Sequence, residues 1–455
     1  MSSMNPERTN SHPSRLKSIA FFSYDDQDAL ATLRLLGPAK MAGWEILRGY
    51  DFDDGRVHVE RVDPADLVFI QRDFCRDYDT YNKILDLLER QKKPFLIDLD
   101  DNLFEIPADH PDRMIGYYVD ALLPVYQAVM DADLITVATE PLREYLLPFN
   151  TNIKVIPNYL DDSVWKISPP VPRSDQKGKI TIGYMGGNTH RPDVRMLVPV
   201  FLQLLEKYPG RIEYHFWGIE APPEVEYHSR VDWYPLLFDR YDKFAAAFGE
   251  VEADIMVAPL CDNRFNACKS CIKFLEYNAA GLAGVYSRVT PYADVIEPGK
   301  DGLLASTTDE WVAEISKLIE IPSLRTQLVE NAQIKIRREW LLSANLSKRT
   351  QIYEDLLSNF QPKERISTPS YKLQQSLSDQ YYEEGVRRDK QFKSMKTQIV
   401  DKDDRISYLD QQVAMRDENI RQFEEEVLSY VMSRSWRITR PFRELARLIG
   451  RLIHA

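Results

Sequence analysis

Two successive series of short apolar runs, alternating with amphipathic helical patterns, constrain the fold of this chain most strongly. Strands that alternate with helices of about 10–15 residues form βαβ units on parallel sheets. The segment 167–179 is rich in Pro and polar residues and predicts an interdomain linker between the two series. The sequence therefore predicts an α/β protein with two Rossmann-like, doubly wound domains, at 16–166 and 180–358, facing a cleft.

Eleven apolar runs predict strands, six in the first series and five in the second. A hydrophobic content of 44% in 455 residues is sufficient for two or three domains with buried cores. The predicted strands are 18–22, 44–49, 66–71, 94–99, 133–138 and 153–158, then 179–187, 211–218, 253–260, 283–287 and 302–306.

Composition and charge exclude several classes of protein. No apolar run reaches the roughly 18 residues of a membrane span, and the polar residues 1–15, predicted to be disordered, lack the apolar core of a secretory signal. Four cysteines in a chain of this length predict reduced thiols and a cytoplasmic protein. The net charge of −12 argues against nucleic-acid binding.

The segment 359–432 predicts a helical or coiled-coil extension. Position a of a heptad is apolar and β-branched, which favours a parallel homodimer through 399–430. Lys402 and Arg416 occupy d positions and weaken the seam. The alternative is a single amphipathic helix packed on the protein's own body. The a positions are Ile399, Ile406, Val413, Ile420 and Val427, and Leu409, Phe423 and Tyr430 occupy the other d positions.

The last segment, 433–455, predicts a basic amphipathic tail. Pro441 suits the first turn of a helix, and an apolar stripe beginning at Phe442 is flanked by Arg443, Arg447 and Arg451. Helices of this kind lie on anionic membrane surfaces or dock to a partner. The alternative is a solvated face packed on the coiled coil.

The first βα turn of the second domain is a candidate phosphate site. Glycines let the backbone approach a ligand closely, and a helix N-terminus beside an Arg favours phosphate. A Gly-Gly turn that serves only as a turn is the alternative. The candidate phosphate-binding residues here are Gly186, Gly187, Asn188, His190 and Arg191.

A second candidate site lies in NACKSCIKFLEYNAAG, 266–281. A helix from about Ser270, ended by Gly281, leaves the amides of Ser270, Cys271 and Ile272 unpaired beside Lys269, as a diphosphate site requires. Glu276 lies nearly two turns into this helix, near the face of Ser270 and Lys273, where it could accept hydrogen bonds from a ribose diol. An exposed helix Glu is the alternative.

The C-x-x-C pair of Cys268 and Cys271 invites a metal interpretation. A tetrahedral metal site needs four ligands, and no second C-x-x-C or H-x-x-x-H pair occurs nearby, so the sequence predicts no metal. A redox C-x-x-C at a helix start remains a minor alternative. Small buried residues are the interpretation that we prefer.

From residue 179 to about 340 the chain resembles the donor-binding domain of GT-B glycosyltransferases of the group 1, or family 4, type. The matching pieces are IGYMGG, DIMVAPL, KSCIKFLEYNAAG, VYSRVTPYADVIEPGKDGLLA and DEWVAEISKLIE. The first domain resembles the acceptor half of polysaccharide-building enzymes of this type, such as those of O-antigen or capsule synthesis. SRSWRITRPFR resembles a short ending that recurs in such transferases.

The resemblance implies roles for residues of the second site. Glu276 would bind the donor ribose, and Lys269 with the helix amides would take the diphosphate. The family carries an earlier Glu that contacts the sugar ring, and Cys268 stands at that position here. Retaining chemistry in this family needs no covalent protein nucleophile, because the leaving diphosphate helps to deprotonate the incoming hydroxyl. Stabilisation of the developing charge by Lys269 and Arg191 would then dominate catalysis.

The acidic turn after the fourth predicted strand carries Asp98, Asp100 and Asp101. In a GT-B cleft, Asp100 and Asp101 would bind acceptor hydroxyls or assist proton transfer, with Asp98 and Arg72 as further acceptor-side candidates. A D-x-D motif also suggests a metal-dependent GT-A transferase, although that fold has one nucleotide-binding sheet. Loop and N-cap acids are the remaining alternative.

The expected function is that of a retaining glycosyltransferase. It would move a sugar from a nucleoside-diphosphate sugar to a glycan or lipid-linked acceptor in surface polysaccharide synthesis, with no cofactor. The basic tail would bring it to the inner face of the cell membrane as a peripheral protein. A noncatalytic GT-B-like scaffold of a polysaccharide assembly complex is the alternative from a different class, motivated by the missing first Glu.

Overall fold

The computed structural model describes residues 15–445 except 26–28, 171–177, 227–229, 236–239, 363–368, 433–438 and 440. The chain divides into two compact units. Met1–Val386 contains both sheets and all the helices that pack on them, and Arg387–Ala455 contains most of one long helix.

The first domain is built on a six-stranded, wholly parallel sheet with the order β2-β1-β3-β4-β5-β6. Its strands are β1 Ser18–Phe22, β2 Glu45–Arg48, β3 Leu67–Gln71, β4 Phe95–Leu99, β5 Leu134–Val137 and β6 Ile153–Val155. Its helices are α1 Ala29–Ala31, α2 Gly37–Ala42, α3 Tyr78–Gln91, α4 Pro111–Met114, α5 Leu122–Asp131 and α6 Glu140–Leu146.

The second domain has its own six-stranded parallel sheet, with the order β12-β11-β10-β7-β8-β9. Its strands are β7 Ile180–Gly186, β8 Ile212–Gly218, β9 Val231–Tyr234, β10 Ile255–Ala258, β11 Ala283–Ser287 and β12 Leu303–Ala305. Its helices are α7 Arg191–Arg195, α8 Val198–Lys207, α9 Pro223–Glu226, α10 Tyr241–Phe248, α11 Arg264–Ala267, α12 Ile272–Ala279, α13 Tyr292–Val295, α14 Thr308–Glu320 and α15 Pro322–Lys335.

The apolar runs form strands because both faces of a parallel sheet are covered by helices. Every residue of β1, β3, β4, β5 and β7 is buried. All eleven predicted strands are present, and the two sheets confirm the predicted α/β class with two doubly wound domains. The edge strand β9 was not predicted, because three of its four residues are exposed and its sequence VDWY has no apolar run.

The helix α16, Leu342–Asn359, connects the two domains by packing back onto the first one. Tyr353 and Leu356 of α16 lie in a core cluster with Phe21 and Trp44 of the first domain. Arg349 of α16 is buried and donates to the carbonyl of Arg34. Residues that follow the second sheet in sequence therefore stabilise the first sheet.

The last described element is α17, Pro369–Met432, a single helix of 64 residues. No described helix is both long and apolar enough to cross a membrane. Of the predicted tail, residues 433–438, 440 and 446–455 lie outside the described residues, and residues 441–445 are helical.

Candidate functional site

The strand order of the second sheet determines where a ligand can bind. From β7 the chain adds β8 and β9 on one side of the sheet, and from β10 it adds β11 and β12 on the other side, so the strand order reverses between the parallel neighbours β7 and β10. The turns after these two strands therefore leave the sheet on opposite sides of a crevice. Ligands of doubly wound folds bind at such a switch point, outside the carboxyl ends of the strands. The two sequence motifs predicted to bind the donor, 186–191 and 261–276, follow these two strands.

The turn after β7 presents exposed polar groups at this edge. Gly186 ends the strand, Gly187 begins a 3₁₀ turn over Asn188–His190, and α7 starts at Arg191. A Cβ atom built on Gly187 would meet nothing within 4 Å, so the backbone is open to the crevice there. The side chain of Arg191 is exposed and lies 3.4 Å from the Asn188 amide oxygen.

Asp193, which the sequence analysis did not select, holds the two turns together. Its Oδ1 accepts hydrogen bonds from the Cys261 amide at 2.8 Å and from the Asn266 side chain at 2.9 Å. Its Oδ2 lies 2.9 Å from Nδ1 of His190. The carboxylate is 4% exposed. Asp193 therefore fixes the turn after β7 against the turn after β10.

His190 in turn contacts Lys273 of α12, with 3.3 Å between Nε2 and Nζ. Burial, together with the ammonium groups of Lys273 and Lys269, lowers the pKa of His190 to about 3. The imidazole is thus neutral at physiological pH, and a neutral imidazole has one donor and one acceptor nitrogen. Nδ1–H donates to Asp193 and Nε2 accepts from Lys273, so His190 positions the lysine and supplies no charge.

Two lysines and a helix start give the crevice its positive character. Lys269 is half-buried, with Nζ 4.6 Å from the centre of the Phe265 ring. Burial and Lys269 lower the pKa of Lys273 to about 8. The helix α12 begins at Ile272, two residues later than predicted, and no described side chain caps its first turn. Its N-terminal amides and dipole add partial positive charge.

Ser270 and Gly281 delimit the helix motif. The hydroxyl of Ser270 accepts a hydrogen bond from Asn158 of the first domain at 3.1 Å. Gly281 has φ of +79°, and a Cβ there would lie 2.9 Å from the carbonyl oxygen of Pro169. Glycine alone combines a favourable positive φ with no Cβ to clash with this carbonyl, and Gly281 ends the helix as the sequence predicted.

Glu276 is buried rather than exposed on the helix surface. The side chain is 4% exposed, and its Oε1 accepts a hydrogen bond from the Tyr241 hydroxyl at 2.8 Å. The same hydroxyl accepts from Nε1 of Trp165 at 3.0 Å. Burial raises the pKa of Glu276 to about 7, against the opposing effects of Tyr241 and Lys273. An orienting network of this kind distinguishes Glu276 from an ordinary surface acid.

The two cysteines of C-x-x-C point into different hydrophobic cores. Cys268 belongs to the core of the first domain, whereas Cys271 packs in the second-domain cluster around Phe274. Burial raises the pKa of Cys268 to about 11 and that of Cys271 to about 12. A redox site requires a lowered thiol pKa, so this geometry favours small buried residues, the interpretation preferred from the sequence.

On the first domain, Arg72 and two aspartates lie at the carboxyl ends of β3 and β4. Arg72 has φ of +48°, a conformation that is strained for a residue with a side chain and often marks functional sites. Its Nε is 3.5 Å from an Asp100 carboxylate oxygen and its Nη2 is 3.7 Å from an Asp101 carboxylate oxygen. Nη2 also donates to the Tyr118 hydroxyl at 3.0 Å.

The two aspartates have opposite pKa shifts. Burial raises the pKa of Asp100 to about 7, and the guanidinium of Arg72 opposes this effect. Burial would also raise the pKa of Asp101, but Lys269 and Arg72 lower it below its usual value. A carboxyl that can hold a proton near neutral pH therefore lies beside one that stays ionised, an arrangement suited to proton transfer.

Asp98 lies below this surface and is completely buried. Both of its oxygens accept from the guanidinium of Arg34, and Oδ1 also accepts from the Thr136 hydroxyl at 2.5 Å. Arg34 also donates a hydrogen bond to the side-chain oxygen of Asn158, and the side-chain amide of Asn158 donates to the Ser270 hydroxyl. Both carboxylate oxygens of Asp98 are therefore hydrogen-bonded to protein side chains, and Asp98 supports the cleft from below without lining its surface.

The segment 264–270 lies against the strand ends of the first domain. The Cys268 carbonyl accepts from Thr139 at 2.7 Å, and Arg264 forms an ion pair with Glu105 at 2.8 Å. A cavity of about 30 Å³ separates Asp109 and His110 of the first domain from Asp193 and Lys269 of the second.

Within the described parts of the chain, no three or more His, Cys, Asp or Glu side chains cluster as metal ligands would.

Asp193 could have been selected from the sequence, because a His and an Asp three residues apart share a helix face. Tyr241 gave no such signal, since it lies 35 residues before Glu276 and outside every motif.

Comparisons with known families and solved structures agree with a fold of two Rossmann-like domains. Residues 179–320 match the family model "Glycosyl transferases group 1". Sucrose-phosphate synthase from Thermosynechococcus elongatus superposes with a TM-score of 0.55 at 14% identity, covering 75% of this chain and 99% of that one. Anabaena HepE, solved with UDP and glucose, gives 0.54 at 12% identity over 75% of this chain and all of its own. Trehalose-6-phosphate synthase OtsA gives 0.51 at 13% identity, over 76% of this chain and all of that one.

No curated protein sequence matches the chain. At identities this low, the structural neighbours establish the fold, and they confirm the predicted GT-B architecture of two facing Rossmann-like domains. The family match covers the domain that carries Lys269 and Glu276. The chain therefore has the GT-B fold, its residues 179–320 match the group 1 glycosyltransferase model, and the protein is a transferase enzyme.

Proposed function

We propose that this protein is a retaining glycosyltransferase that moves a sugar from a nucleoside-diphosphate sugar to a glycan or lipid-linked acceptor in surface polysaccharide synthesis. The observation that carries the proposal is the convergence of Lys269, Lys273, Arg191 and the start of α12 at the switch point of the second sheet. Cationic side chains and helix amides at such a point suit a diphosphate. Glu276, on the same helix, would accept hydrogen bonds from the ribose.

Charge stabilisation would drive the reaction. As the sugar–phosphate bond breaks, negative charge grows on the diphosphate, and the lysines and the helix dipole are already in place to stabilise it. A phosphate oxygen would take the proton of the acceptor hydroxyl while that hydroxyl oxygen forms the new bond on the same face of the sugar. The sugar–phosphate bond breaks as the sugar–acceptor bond forms, so no covalent intermediate on the protein is needed.

The acceptor would bind across the cleft, at the first domain. Arg72, Asp100 and Asp101 follow the ends of neighbouring strands there, and the lowering of the Asp101 pKa by Lys269 supports a place for both residues in one cleft. Asp100 and Asp101 would bind acceptor hydroxyls or assist their deprotonation. Asp98, held by Arg34 and Thr136, would support this turn from below.

Donor entry would require the two domains to move apart. Ligand pockets usually measure roughly 300–1,000 Å³, whereas the cavity lined by His110, Asp193 and Lys269 has about 30 Å³. The contacts of Cys268 with Thr139 and of Ser270 with Asn158 would break and re-form in each cycle. Closure would exclude water from the reacting groups.

Nucleotide binding tests the donor site. Isothermal titration calorimetry with UDP, ADP and GDP should find one diphosphate that binds, with UDP tested first because the HepE structure contains it. Lys269→Ala should weaken binding about 10- to 100-fold, the effect of losing one charge-assisted contact of about 1.5–3 kcal/mol. Lys300→Ala is the control, since Lys300 pairs with Glu297 before β12, at the opposite edge of the sheet. Equal losses in both variants would contradict the proposed donor site.

The presence of Cys268 in place of an acidic residue favours one alternative function, that of a noncatalytic scaffold. Where the family has a Glu that contacts the sugar, this side chain lies in the first-domain core. A scaffold would bind nucleotide without turning over any nucleotide sugar. Turnover and binding therefore separate the two functions when measured on the same preparation.

We further propose peripheral attachment to an anionic membrane through 433–455. Phe442 and Leu445, in the described part of this segment, are 73% and 57% exposed. Apolar side chains among arginines suit a lipid–water interface. Cosedimentation with vesicles that contain an anionic lipid tests this, and binding that persists after deletion of 434–455 would contradict it.

A further inference from the structure

The long helix α17 carries a regular apolar face that is exposed in the single chain. The five a positions between Ile399 and Val427 are each 51–57% exposed. Leu409 and Phe423, at d positions, are 47% and 70% exposed. The same spacing extends one heptad towards the N-terminus, with Phe392 at a and Met395 at d. Sustained apolar faces of this kind mark interaction surfaces.

We propose that α17 pairs with the α17 of a second copy of this chain, as a parallel coiled coil with both helices in register. The spacing is the first reason. A repeat of seven keeps one face on a partner helix, and Ile or Val at a favours two strands. An in-register pair also places every a residue of one helix beside the same residue of the other, so that the face complements itself.

The charges beside this face select the parallel orientation. The e positions 410, 417 and 424 are all acidic, as Asp410, Asp417 and Glu424. An antiparallel pair sets e against e and would oppose these acids to one another. A parallel pair sets g against the next e of the partner, where Arg405 meets Asp410 and the uncharged Gln412 meets Asp417. At the e and g positions that flank the seam, the parallel pair therefore avoids the like-charge contacts of the antiparallel pair.

The cations within the face fit the same arrangement. In a parallel pair the d residue packs into a hole whose wall includes the partner's e residue, so Arg416 would lie beside Asp417 of the second copy. A different apolar partner would leave Arg416 and Lys402 against an uncharged surface. In register, Arg416 and Lys402 also lie beside their own copies across the seam, and the acidic e residues next to them, Asp417 and Asp403, offset that repulsion.

Pairing in register also brings the two 433–455 segments to the same end of the coiled coil. Two basic segments that act together bind a surface far more tightly than either does alone. This consequence rests on the proposed membrane contact. The pairing itself does not depend on sugar transfer or on membrane binding, so its failure and theirs can be told apart.

Sedimentation of the full-length chain tests the pairing. The wild-type protein should have twice the chain mass at micromolar concentration, and Ile420→Asp should reduce it to the chain mass. Val400→Asp is the matched control, because Val400 is a β-branched residue of the same helix, 51% exposed, at position b outside the seam. It should remain a dimer. A wild-type monomer or trimer, or equal behaviour of the two variants, would overturn the proposal.

Cysteine cross-linking tests orientation. Val427 lies near one end of the seam. In a parallel pair in register, two Val427→Cys chains should therefore form a disulfide with each other under mild oxidation. Efficient cross-linking only when Ile399→Cys and Val427→Cys chains are mixed would show an antiparallel pair and overturn the proposal. Unchanged nucleotide binding by all variants would show that the catalytic body is intact.

Discussion

Replacing Glu276 with Gln should remove a specific pH dependence from the stability of the second domain. The carboxyl is 4% exposed, and burial raises its pKa from 4.5 to about 7. Because the folded-state value lies above the unfolded one, the protonated form stabilises the fold. This contribution is complete below about pH 4.5 and is lost as the pH rises through about 7.

The magnitude follows from the two pKa values. Integration of the linkage relation gives a loss of about 2.5 kcal/mol between pH 5 and pH 8.5, since each unit of pKa difference corresponds to about 1.36 kcal/mol. Gln cannot titrate and keeps the size of Glu. The difference in unfolding free energy, wild type minus Glu276→Gln, should therefore fall by about 2.5 kcal/mol over this range.

Urea unfolding at steps across this pH range measures the difference directly. Glu330→Gln controls for the loss of one carboxylate, because Glu330 is exposed on α15. Tyr241→Phe should move the titration to higher pH, since the Tyr241 hydroxyl lowers the pKa of Glu276. A difference that stays constant with pH would refute the assignment of Glu276 as a buried, titrating acid.

Three further predictions concern other parts of the molecule. Asp98→Ala should destabilise the fold by about 3–5 kcal/mol, measured by urea unfolding, because it leaves the buried charge of Arg34 unpaired. Asp193→Asn should weaken nucleoside-diphosphate binding about tenfold in calorimetry, because Asn has one acceptor oxygen and cannot accept from His190 and from Cys261 and Asn266 at the same time; unchanged affinity would contradict its positioning role. Deletion of 434–455 should abolish cosedimentation with anionic vesicles and leave nucleotide affinity unchanged.

Strand positions followed from the sequence because parallel strands are buried on both faces and appear as continuous apolar runs. The two turns proposed to bind the donor could be located for a related reason, since glycines, a lysine and a helix start at strand ends are local features of the sequence. The edge strand β9 was missed because most of its residues are exposed. The return of α16 to the first domain depends on tertiary contacts between residues such as Arg349 and Arg34, more than 300 positions apart.

The side chains that tune the site were the least predictable. The partner of Glu276 is Tyr241, whose sequence neighbours give no sign of the hydrogen bond. Asp98 belonged to an apparent acidic motif, yet its pairing with Arg34 depends on a distant helix. Burial determines both cases, and burial is a property of the assembled fold rather than of a motif.

Sugar transfer itself is tested most directly by release of nucleoside diphosphate from a panel of nucleotide sugars, with a mixture of glycan and lipid-linked acceptors present. The account predicts acceptor-dependent release from at least one donor by the wild-type protein, and its loss in Lys269→Ala and Glu276→Gln, with normal release in Lys300→Ala. Binding of a nucleoside diphosphate without release from any donor, or release that survives both substitutions, would contradict it.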